Sequence, residues 1–177
     1  MIRFFSFMVV FLLCVESSYT MKVVDVDIIC KNVADNPSFC LTLLKPKQGA
    51  DLVTLGQYTI DVARIKLTNT INLIKKLISQ SGSDPKAKDH YEYCLSRFGA
   101  EGGAFSRILD SEKCLKNGDY FGFGGEVDRI IADYSSCITG DSPSDPPYPD
   151  KSLLPKYAGI FLDVVEIMLA ISFFLPT

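Results

Sequence analysis

Apolar side chains recur at alternating steps of three and four residues along one long stretch of the chain. The positions are Val53, Gly56, Ile60, Ala63, Leu67, Thr70, Ile74 and Leu77, with Ile71 and Ile78 beside them. This is the spacing of a helix that packs one face into a bundle. Asp51 lies at or just before the first turn, where a carboxylate favours the helix dipole. Ser81-Gly82-Ser83 ends the pattern, so the stretch predicts one long helix.

Three later stretches repeat this helical spacing. The second begins at Asp84-Pro85, a capping residue followed by a first-turn proline, and its apolar face covers residues 91–109. Glycines within that face weaken it, each by up to about 1 kcal/mol relative to alanine. The third helix is predicted around residues 120–137 and the fourth around 153–174, with a Gly-, Ser- and Pro-rich loop over 139–150 between them. The pattern predicts an all-α, up-down-up-down four-helix bundle.

A helical hairpin is predicted before the bundle. Residues 22–33 and 37–44 each suit a short helix. The Asn36-Pro37 step discourages helix at Asn36, while Pro37 is well placed to begin the second helix. Cys30 and Cys40 would then face each other across the hairpin as a disulfide clasp. The alternative is two separately buried thiols, which a secretory context disfavours.

The first residues have the composition of a secretory signal peptide. Arg3 supplies a positive charge, residues 4–15 are apolar, and Ser18 and Thr20 fit the small-x-small cleavage pattern. The predicted divisions are therefore a signal peptide over 1–20, the hairpin over 21–48 and the bundle over 49–177. A secreted, extracellular protein is expected.

Cleavage after Thr20 removes Cys14 and leaves five of the six cysteines. An odd number predicts two bridges and one leftover thiol, or a bond between molecules. Five choices of the leftover cysteine, each with three pairings, give fifteen frameworks. The spacing alone does not choose among them.

The last predicted helix also suits a membrane or lipid anchor, because residues 158–175 are strongly hydrophobic. Asp163 and Glu166 lie in its middle, where ionised groups would be costly in lipid. A buried bundle helix is therefore the favoured interpretation, and no membrane association is expected.

The candidate chemistry argues against an enzyme. His90 is the single histidine, and its spacing to Cys94 would suit a metal, but two further ligands are missing. The glycines at 122–125 lack the Gly-Lys-Ser/Thr ending of a phosphate loop. Carboxylates such as Glu101 and Asp110 suit a solvated helix face. The 18 Lys and Arg residues are scattered in a chain of net charge −3, so no nucleic acid is expected. We predict no catalytic residues, metal or cofactor.

One family combines these features, and this chain resembles it over residues 24–175. The residues that carry the resemblance are Ile29-Cys30-Lys31-Asn32, Pro37, Phe39-Cys40, Leu43, Cys94, an aromatic four residues later at Phe98, Gly118-Asp119-Tyr120 and Cys137. The chain is similar to the plant invertase and pectin methylesterase inhibitors. The resemblance pairs Cys30 with Cys40 and Cys94 with Cys137, and it leaves Cys114 free. A monomer is expected, with a dimer through Cys114 as the alternative.

The resemblance implies a protein inhibitor that binds pectin methylesterase or acid invertase and blocks its substrate cleft, in the apoplast or the vacuole. In invertase inhibitors a Pro-Lys-Phe segment follows the Gly-Asp of the loop before the third bundle helix. Here Tyr120-Phe121 follows Gly118-Asp119, so proline and lysine are missing. Asp119, Tyr120 and Phe121 are the predicted partner-binding residues, since aromatic side chains are common interface hot spots. The alternative is that both aromatics only cover the end of the bundle.

A different function is also open. A secreted helical binding or storage-like protein, such as a lipid carrier, would have a similar composition. A carrier of this kind would need a hollow core, whereas the regular apolar pattern over residues 53–77 suggests a filled core.

Overall fold

Seven helices form in the part of the chain that the computed structural model describes, residues 22–140 and 147–176. They are α1 (Val26–Cys30), α2 (Pro37–Leu44), α3 (Leu52–Gln80), α4 (Pro85–Phe98), α5 (Ala104–Lys116), α6 (Tyr120–Thr139) and α7 (Leu154–Ser172), with a 3₁₀ turn at Lys45–Lys47 after α2. The predicted signal peptide lies outside the described residues, and so does part of the predicted loop over 139–150.

Side-chain caps fix where the helices begin. The carboxylate of Asp51 accepts a hydrogen bond from the backbone N–H of Thr54 at 2.9 Å, and that of Asp84 accepts one from Ala87 at 3.1 Å. Such caps satisfy backbone donors that have no partner inside the helix. The apolar pattern over residues 53–77 lies on a single helix, α3, as the sequence predicts.

The bundle is built from α3, the pair α4 and α5, α6 and α7. Its core contains three fully buried phenylalanines, Phe98, Phe123 and Phe161. The rings of Phe98 and Phe161 meet edge to face, with centroids 6.0 Å apart, the arrangement that aromatic pairs prefer. These contacts confirm the all-α four-helix bundle with its N-terminal helical hairpin. The limits of the predicted domains stay predictions.

The second bundle helix is interrupted, and the prediction of one continuous face over 91–109 was wrong. A Cβ added at Gly103 would lie 2.4 Å from the carbonyl oxygen of Arg97, and one at Gly99 would lie 2.7 Å from that of Leu95. The backbone folds tightly onto itself there, so α4 ends and α5 begins in a new register. As a result Leu109, placed on the buried face by the pattern, is 46% exposed.

A buried carboxylate on α6 joins the two halves of the interrupted helix. Asp133 accepts a 2.8 Å hydrogen bond from Nε of Arg107, which lies on α5. Its other oxygen lies 3.9 Å from Nη1 of Arg97, which lies on α4. Asp133 thus pairs with a guanidinium on each side of the break.

Two disulfides cross-link the helices. Cys30–Cys40 joins α1 to α2 with Cα atoms 5.5 Å apart, and Cys94–Cys137 joins α4 to α6 with Cα atoms 4.8 Å apart. This is the pairing that the family resemblance implies. The second loop is the longer, with a sequence separation of 43 against 10. The chain-entropy relation therefore gives it about 4 kcal/mol and the first about 3 kcal/mol.

The hydrophobic last helix, α7, packs inside the bundle against α3 and α6. Its two acidic residues, Asp163 and Glu166, are half-buried. Within residues 22–140 and 147–176, no helix has the combination of length and apolar character required to span a bilayer.

Candidate functional site

The loop between α5 and α6 is held by its own backbone. Gly118 has a φ of +74°, which L side chains rarely adopt. The backbone N–H of Asp119 donates to the carbonyl oxygen of Cys114 at 2.9 Å, and the Asp119 carboxylate accepts from the N–H of Gly122 at 2.8 Å. A Cβ at Gly122 would lie only 2.2 Å from Oδ2 of Asp119, so glycine leaves room for this cap. The loop is pre-organised by these contacts.

The two aromatics after Asp119 have different environments. Tyr120 is half-buried and packs against the hydrophobic core. Phe121 is 90% exposed and therefore does not cover the end of the bundle. Of the two aromatics, only Phe121 presents its ring fully to solvent. An aromatic ring left in water is available for burial by a partner.

A second exposed aromatic lies at this end of the bundle. A Cβ at Gly124 on α6 would lie 3.5 Å from Oγ of Ser172, so the end of α7 lies beside the first turns of α6. Phe173, the next residue, is 67% exposed. Sequence reasoning did not single out Phe173, because it lies within the continuous hydrophobic stretch over residues 158–175.

Among the described cysteines, Cys114 is the one outside a disulfide, and it is half-buried. Burial raises the pKa of its thiol, and the carboxylates of Asp119, Glu126 and Asp110 raise it further. The thiolate, which is the reactive form, is therefore disfavoured. This environment argues against a dimer formed by oxidation of Cys114.

The interruption between α4 and α5 opens a groove on the side of the bundle. Its volume is about 670 Å³. Ile71, Leu95 and Phe105 supply its apolar lining, and Lys75 and Glu92 supply charge. The cluster of glycines that breaks the helix is the one feature of the sequence that points to this groove.

His90 takes part in a structural cluster. Its ring stacks on Tyr148, with centroids 4.5 Å apart, and Nε2 lies 3.7 Å from Oδ2 of Asp150. The hydroxyl of Tyr91 donates to the other oxygen of Asp150 at 3.0 Å. Burial lowers the pKa of His90, although Asp150 opposes that change. The cluster fastens the segment before α7 to α4.

The cluster contains no reactive thiol, because Cys94, whose sulfur lies 3.8 Å from Nε2 of His90, is in a disulfide. In the described part of the chain, no group of three or more His, Cys, Asp or Glu side chains could hold a metal ion.

Comparison with known proteins identifies the family. The pattern of the plant invertase/pectin methylesterase inhibitors matches residues 25–170. The chain belongs to this family. It is 32% identical over 145 residues to a pectinesterase inhibitor of Actinidia deliciosa, a match that covers 80% of this chain and 74% of the relative.

Solved inhibitors of this family share the fold. One is a mutant form of a pectin methylesterase inhibitor from Arabidopsis, with a TM-score of 0.69, 26% identity, and coverage of 84% of this chain and 95% of that one. Another is a pectin methylesterase inhibitor from Arabidopsis thaliana, with a TM-score of 0.62, 23% identity, and coverage of 86% and 96%.

Proposed function

We propose that this protein is a secreted inhibitor that binds pectin methylesterase and blocks its active-site cleft. The observation that carries the proposal is Phe121, a 90% exposed aromatic in the first turn of α6, directly after the pre-organised loop that ends at Asp119. Family membership and the Actinidia deliciosa relative named a pectinesterase inhibitor support the type of target. Secretion is part of the proposal, with the mature chain beginning near residue 21 in the apoplast or vacuole.

The structure supports separate roles for the three predicted partner-binding residues. Asp119 is engaged in capping α6, so its contribution is to hold the loop. Tyr120 packs on the core and fixes the direction of the first turn. Phe121 contacts the target, and complete burial of its side chain would contribute about 1.5–3 kcal/mol to binding.

Acid invertase is the second candidate target. The Pro-Lys-Phe segment that the resemblance associates with invertase inhibitors is absent after Gly118-Asp119, which favours pectin methylesterase. The resemblance also implies that inhibitors of pectin methylesterase lay bundle helices across the cleft of the target. The groove lined by Ile71, Leu95 and Phe105 gives α3, α4 and α5 an apolar surface suited to such a contact.

Parallel inhibition assays test this proposal. The refolded, disulfide-bonded domain over residues 21–177 is titrated against a pectin methylesterase and an acid invertase. We expect inhibition of the esterase, and inhibition of the invertase alone would transfer the proposal to that enzyme. Failure to inhibit either enzyme would leave a helical carrier, which binding of a fluorescent lipid would reveal.

A matched pair of variants tests the role of the loop. Phe121→Ala should weaken inhibition by about 10- to 100-fold, because the apolar area of the ring no longer contributes. Leu153→Ala removes an exposed apolar side chain at the start of α7, the opposite end of that helix from Phe173, and should leave inhibition unchanged. Equal inhibition by wild type and Phe121→Ala would remove Phe121 from the interface.

A further inference from the structure

Three carboxylates meet where the hairpin contacts the bundle, because Asp35, itself exposed, lies close enough to interact with Glu166 through both its backbone N–H and its side chain. Asp35 lies in the turn between α1 and α2, and Asp163 and Glu166 lie one turn apart on α7. The side-chain amide of Asn36 lies 3.4 Å from Oδ2 of Asp163. Oε2 of Glu166 is buried and has no hydrogen-bond partner. The turn of the hairpin therefore packs against the acidic part of α7.

No cation balances these carboxylates within residues 22–140 and 147–176. None of the ion pairs there includes Asp35, Asp163 or Glu166. The titratable group that α6 places near them is the hydroxyl of Tyr134. Burial raises the pKa of Tyr134, and the same three carboxylates raise it further, so this group stays neutral.

The surroundings favour the protonated forms of both acids on α7. Burial is the main cause that raises the pKa of Asp163 and of Glu166, and the Asp35 carboxylate adds to it in both cases. The Asn36 amide opposes the change at Asp163, and the backbone N–H of Asp35 opposes it at Glu166. Burial has the larger effect at both residues, so the pKa of each is raised.

The rest of the hairpin is fixed independently of the carboxylates. Val23 forms an isolated antiparallel bridge with Asp51 at the start of α3. Ile29 and Leu44 are fully buried, and the Cys30–Cys40 disulfide holds α1 to α2. Loss of the carboxylate contact would therefore open the turn locally and leave the base of the hairpin docked.

We propose that Asp35, Asp163 and Glu166 form an acid-closed latch, which holds the turn of the hairpin against α7 in acid and loosens as the pH rises to neutral. Protonated carboxyls remove the repulsion among the three groups, and a protonated Glu166 can share its proton with Asp35. The device is a property of the fold and does not rest on the proposed function.

The direction of the pH dependence follows from linkage. The ordinary pKa values are 3.8 for Asp163 and 4.5 for Glu166, and the folded values are higher. An acid with a raised folded pKa stabilises the docked state fully below its ordinary pKa. That contribution is lost as the pH rises through the folded pKa.

Hydrogen exchange tests the latch in the full mature domain. The readout is the protection factor of the amides in residues 34–39 other than Pro37, at about pH 4 and about pH 7, corrected for the pH dependence of intrinsic exchange. In the wild type we expect protection to fall several-fold between the two pH values. Glu166→Gln, which mimics the protonated acid, should retain most of its protection at neutral pH.

Asp128→Asn is the matched control, because it removes an exposed carboxylate from the neighbouring helix α6. It should behave as the wild type does. Equal protection of the wild-type turn at both pH values would overturn the proposal, and so would an unchanged pH dependence in Glu166→Gln. If the variant fails to fold, carboxyl carbon-13 NMR of the wild type decides the question. Titration of both α7 carboxyls at ordinary values would overturn the latch.

Discussion

Replacing Asp133 with alanine should destabilise the protein at the interruption of the second bundle helix. The carboxylate is buried on α6, 2.8 Å from Nε of Arg107 on α5 and 3.9 Å from Nη1 of Arg97 on α4. Asp133→Ala removes the one group that pairs with both arginines. Arg107 would keep the 3.7 Å contact of its Nη1 with Glu126, and Arg97 would keep the 2.9 Å hydrogen bond from its Nε to the hydroxyl of Tyr93, but the link that joins the two arginines would be lost.

The size of the loss follows from burial. Removing one partner of a fully buried ion pair costs about 3–5 kcal/mol, since the other charge stays buried without compensation. Here the side chain of Arg107 is 28% exposed and that of Arg97 is 37% exposed, so water replaces part of the interaction. We therefore expect the free energy of unfolding to fall by about 2 kcal/mol.

Urea unfolding followed by far-UV circular dichroism measures this loss, with Asp128→Ala as the control. Asp128 is an exposed acid on the same helix, and its replacement should change stability by less than about 0.5 kcal/mol. Hydrogen exchange of residues 99–103 should increase in Asp133→Ala only. If Asp133→Ala is no less stable than Asp128→Ala, the two arginines are not anchored by this carboxylate and the reasoning is wrong.

Three further outcomes follow from the buried groups. Cys94→Ala with Cys137→Ala should lower the free energy of unfolding by about 4 kcal/mol, and a loss under about 1 kcal/mol in urea unfolding would contradict the loop-entropy argument. Cys114 should react with iodoacetamide more slowly than a cysteine in an unfolded peptide, because its pKa is raised; an equal rate would refute its burial. Protonation of His90 opposes folding, since its folded pKa lies below the ordinary 6.5, so stability should fall as the pH drops below that value. His90→Gln should reduce this fall in thermal unfolding experiments, and an unchanged pH profile would argue against the burial of His90 beside Asp150.

A helix could be predicted from the sequence where the spacing of apolar residues matches the spacing of the residues that the helix buries. The apolar pattern over residues 53–77 lies on the uninterrupted helix α3, because no other local signal along it opposes a helix. Asp51, Asp84 and Asp119 mark helix starts, and each accepts a backbone hydrogen bond three residues later. These signals are local, so the sequence contains them directly.

The interruption of the second helix could not be predicted from periodicity. Phe98 and Ile108 are both fully buried, so apolar residues exist on either side of the break. The tight approach at Gly103 depends on the carbonyl oxygen of Arg97, and the anchoring depends on Asp133, which is distant in sequence. A pattern of apolar positions carries no information about such contacts.

The candidate loop was predictable in location but not in the roles of its residues. Asp119, Tyr120 and Phe121 came from the family resemblance, which does not indicate exposure. The structure separates them, with Tyr120 against the core and Phe121 in solvent, because the first turn of α6 points successive side chains in different directions.

A titration of pectin methylesterase with the oxidised domain over residues 21–177 is the most direct test of the proposed inhibition. Under this proposal, esterase activity falls in proportion to added protein and is lost when the two are equimolar. Full esterase activity in a large molar excess of correctly folded, disulfide-bonded domain would contradict it.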